Sequence, residues 1–398
     1  VITPPSGDYL DIIRHAHRAH VRVTLYRETG TGREHIGVLP VTSVQMTYDI
    51  TANVHRAADI EFGVDMWETV SRDVIEAIST EAGIVTIEHG VSSGNNTDTV
   101  WVLLATLRVD AIFAELLSST RTLHAYDRAI LVQEHLLETD RPLDNTYVGL
   151  IETMLQETLP GEVLNIDPAF TPEELALTPT SGKALSAGNP RLDEMQKLAD
   201  VLSGTVANDQ YGAFELRKIV ESGTPSWTIN SGPLGVLING NQETSRREQY
   251  NAVSITWTPN DDDEDADWRL RIFLWDNDPQ SPTFYDGPFG KRPVFFDEEY
   301  DHLPSQTEAE RLARERLAMY AGETRALDLS AVYNPLLEPG DIIEVVFPDG
   351  LVEEHIVDAI TFDLGPSARM DITTRLDRPT TYSGTVTGSA NGVIREIN

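Results

Sequence analysis

At 398 residues and a formal charge of −34, the chain is too long for one ordinary core and too acidic to hold nucleic acid or an anionic membrane tightly. A hydrophobic content of 40% with six tryptophans excludes disorder as the ground state. The absence of cysteine removes disulfides, thiolate zinc sites and cysteine nucleophiles together.

Lys183, Lys197, Lys218 and Lys291 are the only lysines. Acid excess with so little lysine suits a salty or a high-GC host, and salt would screen the self-repulsion. No apolar run reaches the length of a bilayer span, so a soluble chain of two to four domains is expected.

Residues 21–62 alternate as strands, with Val21, Val23 and Leu25 on one face and Ile36, Val38 and Val41 after a Gly30-Thr31-Gly32 turn. Asp65 is placed to cap a helix carrying Trp67, Val70, Val74 and Ile78. Strands are expected at 84–88 and 100–109, joined by a polar loop over 90–99, which closes a first β domain over 1–125. Asp127 then caps a helix reaching Leu137, and a second helix follows over 146–158. Pro172-Glu173-Glu174-Leu175 reads as a turn. Asn189-Pro190 reads as the cap and first-turn proline of a third helix ending at Gly204. With strands at 210–219 and 226–229, these make an α+β domain over 126–229.

The strand at 250–257 precedes the acidic run Asp261-Asp262-Asp263-Glu264-Asp265, a solvated loop by its composition. Trp268–Trp275 reads as a strand and 285–292 as a glycine-proline turn. Ser305-Gln306-Thr307-Glu308 is a capping box that opens a helix lined by Ala309, Leu312, Ala313, Leu317 and Tyr320. Beyond it come only strands and tight turns, the reading of a small barrel. The strand at 250–257 is expected to share that barrel, so the second β domain spans 230–260 and 325–381 with 261–324 inserted. Residues 382–398, rich in Gly, Thr and Ser, read as a flexible extension. No repeat is visible at a fixed period.

Chemistry is sparse. Gly90-Val91-Ser92-Ser93-Gly94 matches the nucleophile-elbow pattern, but the elbow needs a helix directly after it and polar loop residues follow instead. His15, His17 and His20 lie among arginines that oppose a bound cation, which favours a surface or interface arm. Glu134-His135 lacks the second histidine of a zinc-peptidase helix. Residues 261–265 and 276–278 carry oxygen ligands without the glycine and distal glutamate of a calcium-binding loop. Gly287–Arg292 is too short for a phosphate loop and reads as a rigid turn. No catalytic, cofactor or metal residue is assigned.

Three stretches resemble the tail-tip or baseplate hub proteins of tailed bacteriophages. The first is Asn53–Phe62, similar to the strand pair that closes the first hub barrel. The second is Gly287–Arg292 followed by the helix 309–320. The third is Ala331–Ile343, containing Asn334-Pro335-Leu336-Leu337-Glu338-Pro339-Gly340-Asp341, together with Met370–Arg375. The resemblance implies a mainly β chain with two small β-barrel domains, a small α+β domain and an inserted domain. It further implies a homotrimer ring with a pseudo-sixfold surface at the distal end of the virion tail. The partners it implies are the tail-tube or distal tail protein, the tape-measure protein and tip fibre or spike proteins. DNA would pass only as transiting cargo, and no stable membrane insertion is implied. Asn334, Pro335, Pro339, Gly340, Asp341 and Arg56 are the structural-turn and interface candidates. Longer hub relatives carry a fused lysozyme, peptidase or needle that this sequence lacks, so wall degradation is not expected of it. The alternative functions are a tail-associated cell-wall hydrolase acting through an acid pair and a carbohydrate-binding attachment module. For the latter, Trp268 and Trp275 fall on opposite faces of one expected strand.

Overall fold

A computed structural model describes residues 9–14, 17–29, 32–63, 83–93, 99–114, 120–179, 184–219, 223–232, 235–244, 250–257, 270–296, 305–320, 325–364, 369–376, 382–388 and 394–397. The chain is mainly β. After α1 (Tyr9–Arg14) come β1 (His17–Thr29), β2 (Gly32–Leu39), β3 (Val41–Asp49), β4 (Arg56–Gly63), β5 (Gly83–Ser93), β6 (Val100–Ala114) and β7 (Thr120–Tyr126). An α+β segment follows with α2 (Ala129–Glu134), β8 (Arg141–Pro142), α3 (Tyr147–Thr158), β9 (Asn165–Ile166), α4 (Pro172–Leu175), β10 (Ala184–Leu185), α5 (Arg191–Val201), β11 (Gly204–Asn208) and β12 (Phe214–Lys218). Then come β13 (Trp227–Asn230), β14 (Leu237–Thr244), β15 (Ala252–Trp257), β16 (Leu270–Asp276), β17 (Pro293–Phe296) and α6 (Gln306–Tyr320). The chain continues through β18 (Arg325–Val332), β19 (Ile342–Val346), β20 (Val352–Asp363), β21 (Arg369–Leu376), β22 (Tyr382–Gly388) and β23 (Ile394–Ile397).

Most strands join one 13-stranded sheet in the order β14-β18-β21-β20-β3-β4-β7-β6-β5-β1-β2, with β19 branching from β20 and β13 pairing with β19. No sheet closes into a barrel among the described residues. The two expected barrel units are instead fused edge to edge, because the C-terminal half of β20 pairs antiparallel with β3, from Ala359 opposite Asp49 to Asp363 opposite Gln45. Alternation makes this possible: Val44, Met46 and Tyr48 of β3 and Ile360 and Phe362 of β20 are buried while the residues between them face out. One hydrophobic core therefore spans both units, holding Met46, Ile60 and Leu123 with Leu329, Ile343 and Ile360.

The two units repeat one topology. The first runs β3-β4-β7-β6-β5 and the second β14-β18-β21-β20-β19, each in the same chain order. Their irregularities coincide. Bulges fall between Val41 and Ser43 and between Leu237 and Asn239, and again between Val109 and Ala111 and between Val357 and Ala359. Equivalent positions carry Arg56-Ala57-Ala58-Asp59-Ile60 against Arg325-Ala326-Leu327-Asp328-Leu329, and Val-Asp-Ala-Ile at both 109–112 and 357–360. Segments of unequal length interrupt the two copies, residues 64–82 in one and 245–324 in the other, so no fixed period survives in the sequence.

A second core packs α2, α3, α5 and α6 against β11, β12, β15 and β16. Here β15 departs from expectation. It lies in a five-stranded sheet ordered β17-β15-β16-β22-β23, away from the strands after 325. Its buried Val253 and Ile255 meet Ile272 and Leu274 of β16 under α6. The segment expected to be a flexible extension supplies β22 and β23 of the same sheet. The loop 276–292 is fixed by two buried polar side chains. Asn251 donates to the carbonyls of Thr283 and Gly290 and accepts from Arg292 N, and Asp276 accepts from Asp278 N, Ser281 and Thr283. That explains Asp276 as a turn organiser.

Other expectations differ in detail. The third helix begins at Arg191 with Pro190 as its cap residue, while Asn189 donates to Glu194. Its end is marked by Ser203 at φ 54°, and Gly204 already opens β11. α2 stops at Glu134, short of Leu137. Ser305 caps α6 by accepting from Glu308 N at 3.2 Å. The helix expected after Asp65, the acidic run 261–265 and Trp268 lie outside the described residues.

Phe362 tests the fusion. It is 2% exposed, lies on β20 within the seam and packs edge-on against Tyr333 at 5.2 Å. Phe362→Ala is expected to lower stability by about 3–5 kcal/mol in urea denaturation, read as a lower midpoint in one shared transition. A cost near zero, or separate unfolding of the two units, would show that the seam is not a common core.

Candidate functional site

β4 opens on Arg56, and the alternation of the strand turns it inward with Ala58, Ile60 and Phe62. A guanidinium in a core needs compensation. Glu338, from the loop between β18 and β19 of the second unit, supplies it: Arg56 Nη2 lies 2.8 Å from Glu338 Oε1, with the side chains 2% and 8% exposed. Arg217 of β12 approaches the same oxygen at 4.0 Å and donates from Nη1 to the Tyr48 hydroxyl at 3.1 Å. The Arg56 guanidinium carbon also sits 4.3 Å from the centroid of the Tyr48 ring. Asp127 accepts from Arg56 N and from Ala129 N, which ties the start of α2 to the same point. Both β units and the α+β segment therefore meet at one buried charged cluster.

Burial would raise the Glu338 carboxyl, but the Arg217 and Arg56 guanidiniums outweigh it and hold the group below the ordinary carboxylate range. Burial pushes Asp127 up to about 6 against the pull of backbone N–H donors, and pushes Asp341 up as well. His55, beside Arg56, is driven down to about 4 by burial and then by Arg217 and Arg56.

The loop that carries Glu338 is built by its own turn chemistry. Asn334 Oδ1 accepts from Leu336 N, and Asp341 Oδ2 accepts from Glu338 N at 2.8 Å. Pro335 and Pro339 are buried and fix φ on either side of Glu338. Gly340 has φ +89° and donates to Val357 O at 2.7 Å, while Asp341 O accepts from Val357 N. Five of the six residues singled out from sequence thus form one loop, and the sixth, Arg56, is ion-paired to it. Glu338, the residue that joins them, stood inside the quoted motif but carried no separate signal, since its partner is remote in the chain. A cleft of about 500 Å³ opens beside the cluster, lined in part by Asp167, Glu215, Arg217, Glu338 and Asp341. Glu338 is held by arginine, and Asp341 is engaged in the turn.

The other motifs fall elsewhere. Residues 90–93 are not the expected loop: β5 runs unbroken through Ser93, so Ser92 lies in a strand and not on an elbow. Its hydroxyl meets His20 Nε2 at 3.1 Å. Gly90 is explained by Trp101 opposite it, whose ring a Cβ would approach within 2.8 Å. His17 and His20 lie on β1, and Trp275 packs with Phe273 and Tyr285.

Two predictions follow from the cluster. Glu338→Leu leaves the buried Arg56 guanidinium without its carboxylate and beside half-buried Arg217, and is expected to cost about 3–5 kcal/mol. Arg56→Met leaves Glu338 with Arg217 and should cost less, so the order of the two urea midpoints is the readout. The second concerns pH. An unfolded histidine binds its proton near 6.5 and native His55 only near 4, so the unfolded state holds more protons in that window and stability falls on acidification through it. Asp127 works oppositely, because its native pKa near 6 lies above the unfolded 3.8 and stability rises as pH falls between them. In His55→Gln the stability relative to the unsubstituted chain should therefore rise between pH 7 and 4, by up to about 3 kcal/mol. Parallel stability curves for the two proteins would refute the assignment.

No protein-family model matches the sequence, and no curated protein is similar to it at a significant level. Solved structures are. A tail protein from Neisseria meningitidis aligns with a TM-score of 0.60 at 11% identity, over 91% of this chain and 97% of that one. The 43 kDa tail protein of prophage MuSo2 from Shewanella oneidensis gives 0.58 at 13% identity, over 89% and 98%. Prophage tail protein gp18 from Listeria monocytogenes gives 0.55 at 12% identity, over 89% and 94%. The likeness runs over nearly the whole length on both sides, and with it the fused β units and the α+β segment find their counterpart: this chain has the fold of bacteriophage and prophage tail proteins.

Proposed function

We propose that the chain is a structural subunit of the tail tip, the hub that closes the distal end of the tail tube and surrounds the channel for DNA. The observation that supports this reading most is the duplicated five-strand unit, fused head to tail through β20 and β3. Two like units per chain turn a trimer into six similar modules, which suits a junction between a threefold tip and a sixfold tube. In this reading the units are the segments 17–126 and 227–244 with 325–376. The α+β segment and the five-stranded sheet stand outside that ring and meet tip proteins. The tube, tape-measure and tip fibre or spike proteins are the proposed neighbours, and DNA passes without being held.

The symmetry of the assembled particle tests the proposal. Imaging should find three copies at the distal tail, with the two units of each copy alternating around the axis. Gly340→Val should reduce the number of assembled tails, since a β-branched residue at positive φ costs about 1–3 kcal/mol and disturbs the loop that carries Glu338. Assembled variant tails that fail only in adsorption would move this region from the tube to receptor contact.

A further inference from the structure

The two units touch through surfaces that are not alike. In the shared strand order, β20 corresponds to β6 and β3 corresponds to β14. The junction is thus heterologous, the C-terminal half of a β6-type strand against the outer edge of a β3-type strand. Each unit has one such half-strand and one such edge, and the chain uses one of each. The other two remain. β5 reaches only to Arg108 on β6, so residues 109–114 have no strand on that side among the described residues, although β7 flanks them on the other. Among the described residues β14 pairs only with β18, and no strand lies on its outer edge.

We propose that these two remaining edges pair with each other between copies: the end of β6 binds antiparallel to β14 of a second copy, so that the sheet continues from chain to chain. The proposal rests on the trimeric hub reading and names the contact that would build it. Register follows from the internal junction, where Ile360, Thr361 and Phe362 face Tyr48, Thr47 and Met46. The shared bulges translate these pairs into Ile112 opposite Thr244, Phe113 opposite Glu243 and Ala114 opposite Gln242 of the second copy. Two further features agree. Phe113, within the unpaired stretch of β6, is a large apolar residue 62% exposed. β14 also carries no lysine and no proline, the usual guards of an edge that must stay unpaired. A head-to-tail contact of this kind makes rings when its rotation closes, and two equivalent contacts per chain divide the ring among six units in a trimer.

The chain has no cysteine, so introduced thiols report without background. The full-length Phe113→Cys, Glu243→Cys double variant, oxidised under conditions where native mass shows trimers, should give covalent dimers and trimers on a denaturing gel. The offset Phe113→Cys, Gln242→Cys pair should not, because a one-residue slip puts the side chains on opposite faces. Amide exchange on the unsubstituted chain is the second readout, with residues 111–114 and 242–244 protected in the trimer and exchanging in dilute monomer. Trimers whose edges exchange freely, or that link only through the offset pair, would overturn the strand pairing and leave the hub reading intact. A chain that is monomeric in solution and in assembled tails would overturn both.

Discussion

Everything in this fold depends on a strand pairing that joins two half-sheets into one, β20 against β3, and on the ion pair that locks it. Backbone hydrogen bonds alone would accept several registers, since any two extended edges can pair. Alternation narrows the choice to shifts of two residues, because a shift of one would turn Ile360, Phe362, Met46 and Tyr48 outward. The Arg56–Glu338 pair removes what is left. A buried ion pair adds little net stability over a well-packed apolar pair, but a shifted register would leave a guanidinium and a carboxylate buried apart, at several kcal/mol. The cluster therefore acts on specificity more than on strength.

The outer face of the joined sheet shows the opposite use of charge. Asp59, Glu61, Asp328, Asp363 and Asp371 stand exposed on strands whose inner faces are apolar. Direct cross-strand pairs run from Asp59 through Gln45 to Asp363 and Arg369, and from Thr361 through Asp371 to Ser330, so the acids share one side of the sheet. Several are held by hydroxyls, as Asp371 is by Ser330 and Asp328 by Thr373. A face of this kind offers no row of cations for phosphate contacts and gains nothing from counterion release. Part of the chain's acid excess is thus placed on one face of the joined sheet.

Local signals in the sequence carried far. Thr146 caps α3 and Ser305 caps α6, each through its hydroxyl three residues ahead of a backbone donor, as short-range chemistry dictates. The turn at 338–341 was legible because proline, glycine and aspartate have one common use in that order. What the sequence left hidden was partnership. β15 alternates like a barrel strand and pairs elsewhere, since period-two hydrophobicity specifies a buried face and not the strand beside it. β5 continued through Ser92 and Ser93 because β1 supplies His17 and Arg18 opposite them, a contact that polar loop composition does not announce. Arg56 was an interface candidate with no indicated partner and Glu338 carried no separate signal; only the fold brings them within 2.8 Å.

The duplication was also hidden, for a related reason. Repeats become visible when spacing is constant, and here the two copies have accepted insertions at different joints. What survived is confined to positions that geometry holds: the inward arginine that begins β4 and its counterpart at the start of β18, the outward aspartate three residues on, and the bulge with Val-Asp-Ala-Ile. A bulge adds one residue to one strand and bends it, so both copies must keep it for the half-strand beyond to leave its first partner and reach a new one. β20 does so within the chain, leaving β19 after Ile356 and meeting β3 at Ala359. The same bulge in β6, at the same tetrapeptide, precedes residues 111–114, which have no strand on the β5 side among the described residues. Repetition of the bend, with no partner strand for it on that side among the described residues, is the strongest physical reason to expect that its partner is external.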